Sequence, residues 1–220
     1  MATAPLLLSL EVAILATMLV AIVGIAAASL LATVRFRGSD LLELVLTAPL
    51  VMPPTVLGYY VLVAIGRSSF VGRAFESLTG APIVFTKLGA VVAASIGALP
   101  LVVKSVRAAL ESVDPSLVAA ARTLGASPLR ALFTISLPLA NKSIASSLML
   151  AFARSVGDFG LTLMIAGDIP GHTQTASLAI YDALAAGREG DAKSMIVVLT
   201  LLVSGILLLV GKLSARAEKR

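Results

Sequence analysis

Residues 114–138 read DPSLVAAARTLGASPLRALFTISLP. Asp114 can accept a hydrogen bond as a helix N-cap, and Pro115 follows at the first helical position, where a missing N–H is harmless. Leu117 to Leu124 is rich in helix formers, and Gly125 stands where a left-handed C′ residue is expected. Ser127 and Pro128 repeat the start signal. The second helix is expected to end before Pro138, whose ring removes an i→i−4 bond and crowds the preceding turn. Leu129, Leu132, Phe133 and Ser136 fall on one face of it. The segment therefore reads as helix, glycine hinge, helix. It lies between two apolar stretches, so it is a helical hairpin joining two membrane spans and a natural knob for a partner in the water phase.

Working outward, the flanking spans are about 88–106 and 144–167, and three more fall at 6–34, 41–65 and 194–212. Of the 220 residues, 58% are hydrophobic and 13% charged, against about 45–50% and 25% in soluble domains. Such a surplus of apolar surface needs lipid as solvent. The fold class is an all-α membrane protein, one domain over 1–220, with about five transmembrane helices and a cytoplasmic hairpin in the loop 111–143. Glu11 interrupts the first span, and Arg35 and Arg37 stop it. Pro49, Pro53 and Pro54 break the second. Residues 67–87 read as a polar loop. Thr175 to Ala186, inside the loop 168–193, reads as a short interfacial helix.

Five spans put the termini on opposite sides. The segments on the side of the 111–143 loop hold eleven Lys and Arg, against five on the other side. The positive-inside rule then gives an external N-terminus and a cytoplasmic C-terminus. The net charge of +5 is explained by this asymmetry, with no nucleic acid required. The N-terminus does not read as a signal peptide, because no positive charge precedes its apolar run. The chain has no Cys and one His, His172, so no thiolate or His-cluster metal site is expected. No catalytic constellation is visible. Gly205 to Lys212 fails as a phosphate loop in both spacing and setting. The chain is expected to be no enzyme and to hold no cofactor; ATP and Mg would belong to a partner subunit.

Arg154 and Asp158 lie inside the fourth span, beside Gly157 and Gly160. A charge at the centre of a membrane helix costs about 2.5–3.5 kcal/mol on insertion scales, so this helix must face the bundle interior or a wet cavity. The i,i+4 spacing puts both residues on one face. They are either an internal pair that orients the span or lining of an anion pathway. Pro53 and Pro54 carry the same choice: a bend in span two, or backbone opened toward a pathway.

The hairpin resembles the EAA loop of ABC-transporter permease subunits. Ala120, Ala121, Gly125, Ile135, Leu137 and Pro138 fall in that pattern's register over nineteen residues, although Ala119 stands where the family has its Glu. APLVMPPTVLGYYVLVAIG (48–66), RTLGASPLRALFTISLPLA (122–140) and LAFARSVGDFGLTLMIAGDIPGHTQT (150–175) are similar to stretches of the molybdate-type ABC permeases. Sulfate and thiosulfate permeases share the FAR-x-x-G-[DE]-[FY]-G and Ile-Pro motifs, while Pro53, Pro54, Gly58 and Tyr59 favour molybdate. The resemblance implies an importer of molybdate, and of tungstate as a related anion, in the bacterial inner membrane. It implies a homodimer on two cytoplasmic ABC ATPase subunits, fed by an external oxyanion-binding protein. The hairpin residues Ser127, Pro128, Leu129, Leu132 and Phe133 would dock on the ATPase. The alternatives are a sulfate or thiosulfate permease and, in another class, a stand-alone anion channel or carrier.

Overall fold

A computed structural model describes the backbone of residues 3–34 and 36–218, and the side chains of all of these except 210 and 213–218. The stop signal at Arg35 and the tail cations Lys219 and Arg220 lie outside the described residues. All regular elements among the described residues are helical. They are α1 (Thr3–Thr33), α2 (Ser39–Thr47), α3 (Pro54–Ile65), α4 (Phe70–Thr79), α5 (Lys87–Glu111), α6 (Pro115–Thr123), α7 (Pro128–Ala131), α8 (Leu137–Leu139), α9 (Asn141–Val156), α10 (Gly160–Ala166), α11 (Ala176–Ala185) and α12 (Glu189–Glu218). A 3-10 turn (Ala48–Leu50) follows α2, and a π-helical turn (Leu132–Ser136) joins α7 to α8.

Three described helices are long and apolar enough to cross a membrane: α1, α5 and the Glu189–Leu209 part of α12. Two bent pairs bring the number to five if each is one span: α3 with α4, bent by 59°, and residues 128–139 with α9, bent by 72°. The partition differs from the sequence reading in three places, the first being that residues 67–87 are not simply a loop but contain α4, started by the Ser69 cap. Residues 41–65 are not one helix, because the chain passes from α2 through the 3-10 turn and restarts at Pro54 behind an extended Pro53. Residues 144–167 are also two helices, interrupted between Val156 and Gly160.

The core is a seam between α1 and α5. Val12 and Ala16 pack with Ala90, Val91 and Ala94, and further along Val20 and Ala28 pack with Ala98, Val102, Val106 and Leu110. The order of these contacts makes the two helices parallel. Small side chains dominate the seam because lipid tails are as apolar as leucine. Association in a bilayer then depends on close backbone approach and dispersion rather than on expelling water. Gly24 allows this approach, since a Cβ there would come within 3.0 Å of Val102 Cγ1. Helix α9 adds Ala151 to the same cluster, and α12 closes on α11 through Ala179, Ala183, Ala192 and Met195. Glu11, the polar interruption in α1, is held by Lys87 at 2.9 Å at the start of α5. The outward faces of α1 and α12 expose Met18, Ile22, Leu201 and Leu208, the surface expected toward lipid.

Candidate functional site

Local chemistry builds the hairpin. The Asp114 side chain accepts the backbone N–H of Ser116 at 2.8 Å and starts α6. That bond, with the Ser116 hydroxyl, holds the Asp114 carboxyl below its ordinary value. Helix α6 ends with Gly125 at φ +90°. Gly125 N–H donates to Arg122 O and Ala126 N–H to Ala121 O, both at 3.0 Å, the paired bonds of a Schellman C-cap. Ser127 caps the second helix by accepting Arg130 N–H at 3.2 Å.

The helix does not stop before Pro138. It runs through α7, the π turn and α8 to Leu139. In the π turn Leu137 N–H donates to Leu132 O, five residues back. This wider turn draws the carbonyls out of α-register, so the proline ring and its missing N–H are accommodated. The chain then bends by 72° into α9, so the second hairpin helix lies across the bundle.

The coupling candidates do not share one environment. Leu132 is only 7% exposed and packs with Val106, Leu110 and Ala140. Ser136 is buried too, while Ile135 and Leu137 are half-buried. Leu129 and Phe133 are 68% and 66% exposed. Ala120, Ser127, Pro128 and Pro138 are exposed, and Ala121 is half-buried. Ala119 lines a cleft with Glu111 and Arg122 between the hairpin and the ends of α1 and α5. Leu124, which the sequence reading left out, is the most exposed apolar residue of the hairpin.

The second candidate cluster lies deeper. Arg154 Nη1 donates to Asp158 Oδ1 at 3.0 Å. Asp158 lies beyond the end of α9, where the backbone leaves the helix, yet the i,i+4 geometry persists. Its other oxygen, Oδ2, accepts from the backbone N–H of Thr162 at 2.9 Å and from the Thr162 hydroxyl at 2.7 Å. One carboxylate thus ends α9, caps α10 and pairs with Arg154. Gly97 of α5 makes room: a Cβ there would lie 3.3 Å from Arg154 Nη2 and 3.4 Å from Asp158 Oδ1. Thr162 and Gly97 escaped the sequence reading. The spacing of Thr162, four residues after Asp158, was the available signal.

The two broken helices meet beside this cluster. A Cβ on Gly160 would come within 2.7 Å of Pro54 Cβ, and one on Gly58 within 2.7 Å of Met164 Cβ. The fit is reciprocal: each helix offers a glycine notch to a bulky residue of the other, four residues apart. The order of contacts makes α3 and α10 parallel, both restarting at the same level. Pro53 and Pro54 are therefore brought to the Asp158 break, although their side chains make no hydrogen bond with the pair.

Interrupted helices packed around a half-buried ion pair define a polytopic membrane protein of the transporter class, since non-helical backbone at that depth is tolerated only inside protein or against a wet cavity. The chain belongs to the family of binding-protein-dependent transport system inner membrane components, whose family model matches residues 4–220. It is 43% identical over 204 residues to the molybdenum transport system permease protein ModB of Escherichia coli (strain K12), covering 92% of this chain and 89% of that one. Identity to ModB of Haemophilus influenzae is 39% over 214 residues, 97% of this chain and 93% of the other. Among solved structures, a bacterial ABC transporter involved in import of the acidic polysaccharide alginate matches with TM-score 0.75 at 15% identity, over 97% of this chain and 79% of that one. The MetNI methionine ABC transporter in an inward-facing form matches with TM-score 0.73 at 16% identity, over 97% and 94%. At such identities these two likenesses speak for the fold.

Proposed function

We propose that this chain is the permease subunit of an ATP-driven molybdate importer in a bacterial inner membrane. The observation that carries the reading is the 43% identity to a molybdenum transport permease over 92% of the chain. In this reading two copies form the pathway, and an external oxyanion-binding protein supplies the anion. Two cytoplasmic ABC ATPase subunits bind ATP and Mg. The N-terminus is external and the C-terminus cytoplasmic. The hairpin is the coupling element: Leu124, Leu129 and Phe133 meet the ATPase, while Leu132 and Ser136 tie the hairpin to the bundle. Closure of the ATPases on ATP displaces the hairpin, and α5 and α9 follow as rigid elements.

The test is ATP-dependent uptake of radiolabelled molybdate into proteoliposomes holding the permease with its ATPase and loaded binding protein. Uptake that requires ATP, and that excess sulfate does not suppress, is expected. Sulfate uptake in its place overturns the substrate, and anion flux without ATP or ATPase overturns the mechanism.

A further inference from the structure

We infer that Arg154 is the group that contacts the anion in the pathway, and that Asp158 and Thr162 are positioning residues that hold it in place. This rests on the function proposed above and adds a division of labour within the cluster.

The two charges are not equivalent. The Asp158 side chain is 3% exposed and the Arg154 side chain 39%. Three of the roughly four acceptor positions of the Asp158 carboxylate are in use: Oδ1 takes one bond from Arg154, and Oδ2 takes both donors of Thr162. A guanidinium carries five N–H donors in a planar fork. Among the described residues only Nη1 of Arg154 has a partner, and that partner is Asp158. A pair whose whole purpose is to orient a helix gains by burying both members, because each exposed donor at this depth lacks water to satisfy it. Here the carboxylate is sequestered and accepts three hydrogen bonds, while the cation is half-presented with its fork largely free.

The level fits a pathway. Gly97, whose missing side chain leaves room for Arg154 and Asp158, is ten residues from one end of the 25-residue α5 and fourteen from the other. At a rise of about 1.5 Å per residue, that is near the middle of the helix, roughly 15 and 21 Å from its ends. A free guanidinium edge at mid-span suits a tetrahedral oxyanion, which offers paired oxygens to the fork. Asp158 also limits the affinity. By cancelling most of the charge it leaves a site attractive enough to enter and weak enough to leave, which conduction requires.

The experiment uses the full assembly, permease with ATPase and loaded binding protein, in proteoliposomes. Four variants are compared: the neutral double Arg154→Gln with Asp158→Asn, Arg154→Lys, Thr162→Val and Thr162→Ser. The double variant removes both charges without stranding either one in the interior. It is expected to assemble and hydrolyse ATP like wild type. Its molybdate uptake at saturating binding protein should fall by about tenfold or more, the consequence of losing a charged hydrogen bond to the anion. Arg154→Lys, which keeps charge but not the fork, should assemble normally and take up molybdate at an intermediate rate. Thr162→Val should lower uptake without lowering ATP hydrolysis, and Thr162→Ser should restore it. Wild-type uptake in the double variant, or in Arg154→Lys should the double fail to assemble, overturns the inference alone. If wild-type protein takes up no molybdate, the function proposed above falls, and the inference falls with it.

Discussion

Gly125 offers the sharpest perturbation of the hairpin. Its φ is +90°, and a Cβ built on it meets no atom within 4 Å. Replacement therefore introduces no clash, and the whole penalty is conformational. An L-residue held in the left-handed region is disfavoured by roughly 1–2 kcal/mol. If the backbone relaxes instead, the Gly125–Arg122 and Ala126–Ala121 bonds are lost, each with a net contribution of about 0.5–1.5 kcal/mol. The second route therefore costs about 1–3 kcal/mol; the cheaper route sets the loss at about 1–2 kcal/mol, a factor of roughly 5–30 in the population of the native hairpin. Gly125→Val should be worse than Gly125→Ala, because a β-branched side chain at positive φ crowds its own backbone even where no neighbour stands. Gly125→Asn should be milder, since asparagine visits this region more readily. Membrane insertion should be unchanged in all three, as no span is touched. Co-purification of the ATPase and ATP-driven uptake should both decline in the order Asn, Ala, Val. Normal assembly and uptake in Gly125→Val would refute the claim that the fixed hairpin angle transmits the stroke.

Other outcomes follow from the same geometry. Gly160→Ala and Gly58→Ala each place a Cβ 2.7 Å from a neighbouring Cβ rather than from a flexible tip, so overpacking of about 1–3 kcal/mol should lower the unfolding temperature in detergent. Gly205→Ala, where nothing lies within 4 Å, should be neutral or stabilising, and equal behaviour of all three would remove the notch argument. The Asp114 carboxyl is held below its ordinary value by its bonds to Ser116, so the capping contribution is present above the unfolded-state value and fades as pH falls through the lowered one. Hydrogen-exchange protection of residues 115–123 should decline over that acidic window in wild type and stay flat in Asp114→Asn. For topology, Thr3→Cys should react with an impermeant maleimide in intact cells and Ser214→Cys only after lysis; the chain has no native Cys to interfere, and the reverse pattern would invert the assigned orientation.

Much of the hairpin was legible because its determinants are local. Asp114, Gly125 and Ser127 each act within a few residues of themselves. The passage through Pro138 was not legible. It depends on a π turn that forms where Leu132 and Ser136 are drawn into the bundle, a tertiary effect that outweighs the usual reading of proline as a stop. Helix α4 escaped notice for a different reason. It is short and amphipathic, and its start rests on Ser69 accepting Gly72 N–H at 2.8 Å, a cap that looks like any serine in a polar loop. The pair at 154 and 158 was visible from spacing, but the break was not. Asp158 commits its carboxylate to Thr162 rather than leaving the backbone to continue as helix, and this competition between side chain and ladder appears only when both partners are seen together.

The placement of the two clusters on shared helices is itself an argument about mechanism. The hairpin is not an appendage: α5 runs directly into it at Glu111, and α9 leaves it at Asn141. The same two helices carry Gly97 and Arg154, whose close contact shapes the ion-pair cluster. Arg107 fastens α2 to the hairpin end of α5, since its guanidinium binds both Glu43 and Glu111. Between hairpin and pair, α5 and α9 are joined by Ala98, Val102, Val106 and Ala151, an apolar interface with little room for independent sliding. A close-packed interior resists continuous deformation. A displacement of the hairpin must therefore be taken up by α5 and α9 together, or at the breaks beside Pro54 and Gly160, where the helical ladder is already interrupted. Those breaks lie against Asp158, so the compliant points of the fold and its buried carboxylate occupy the same place.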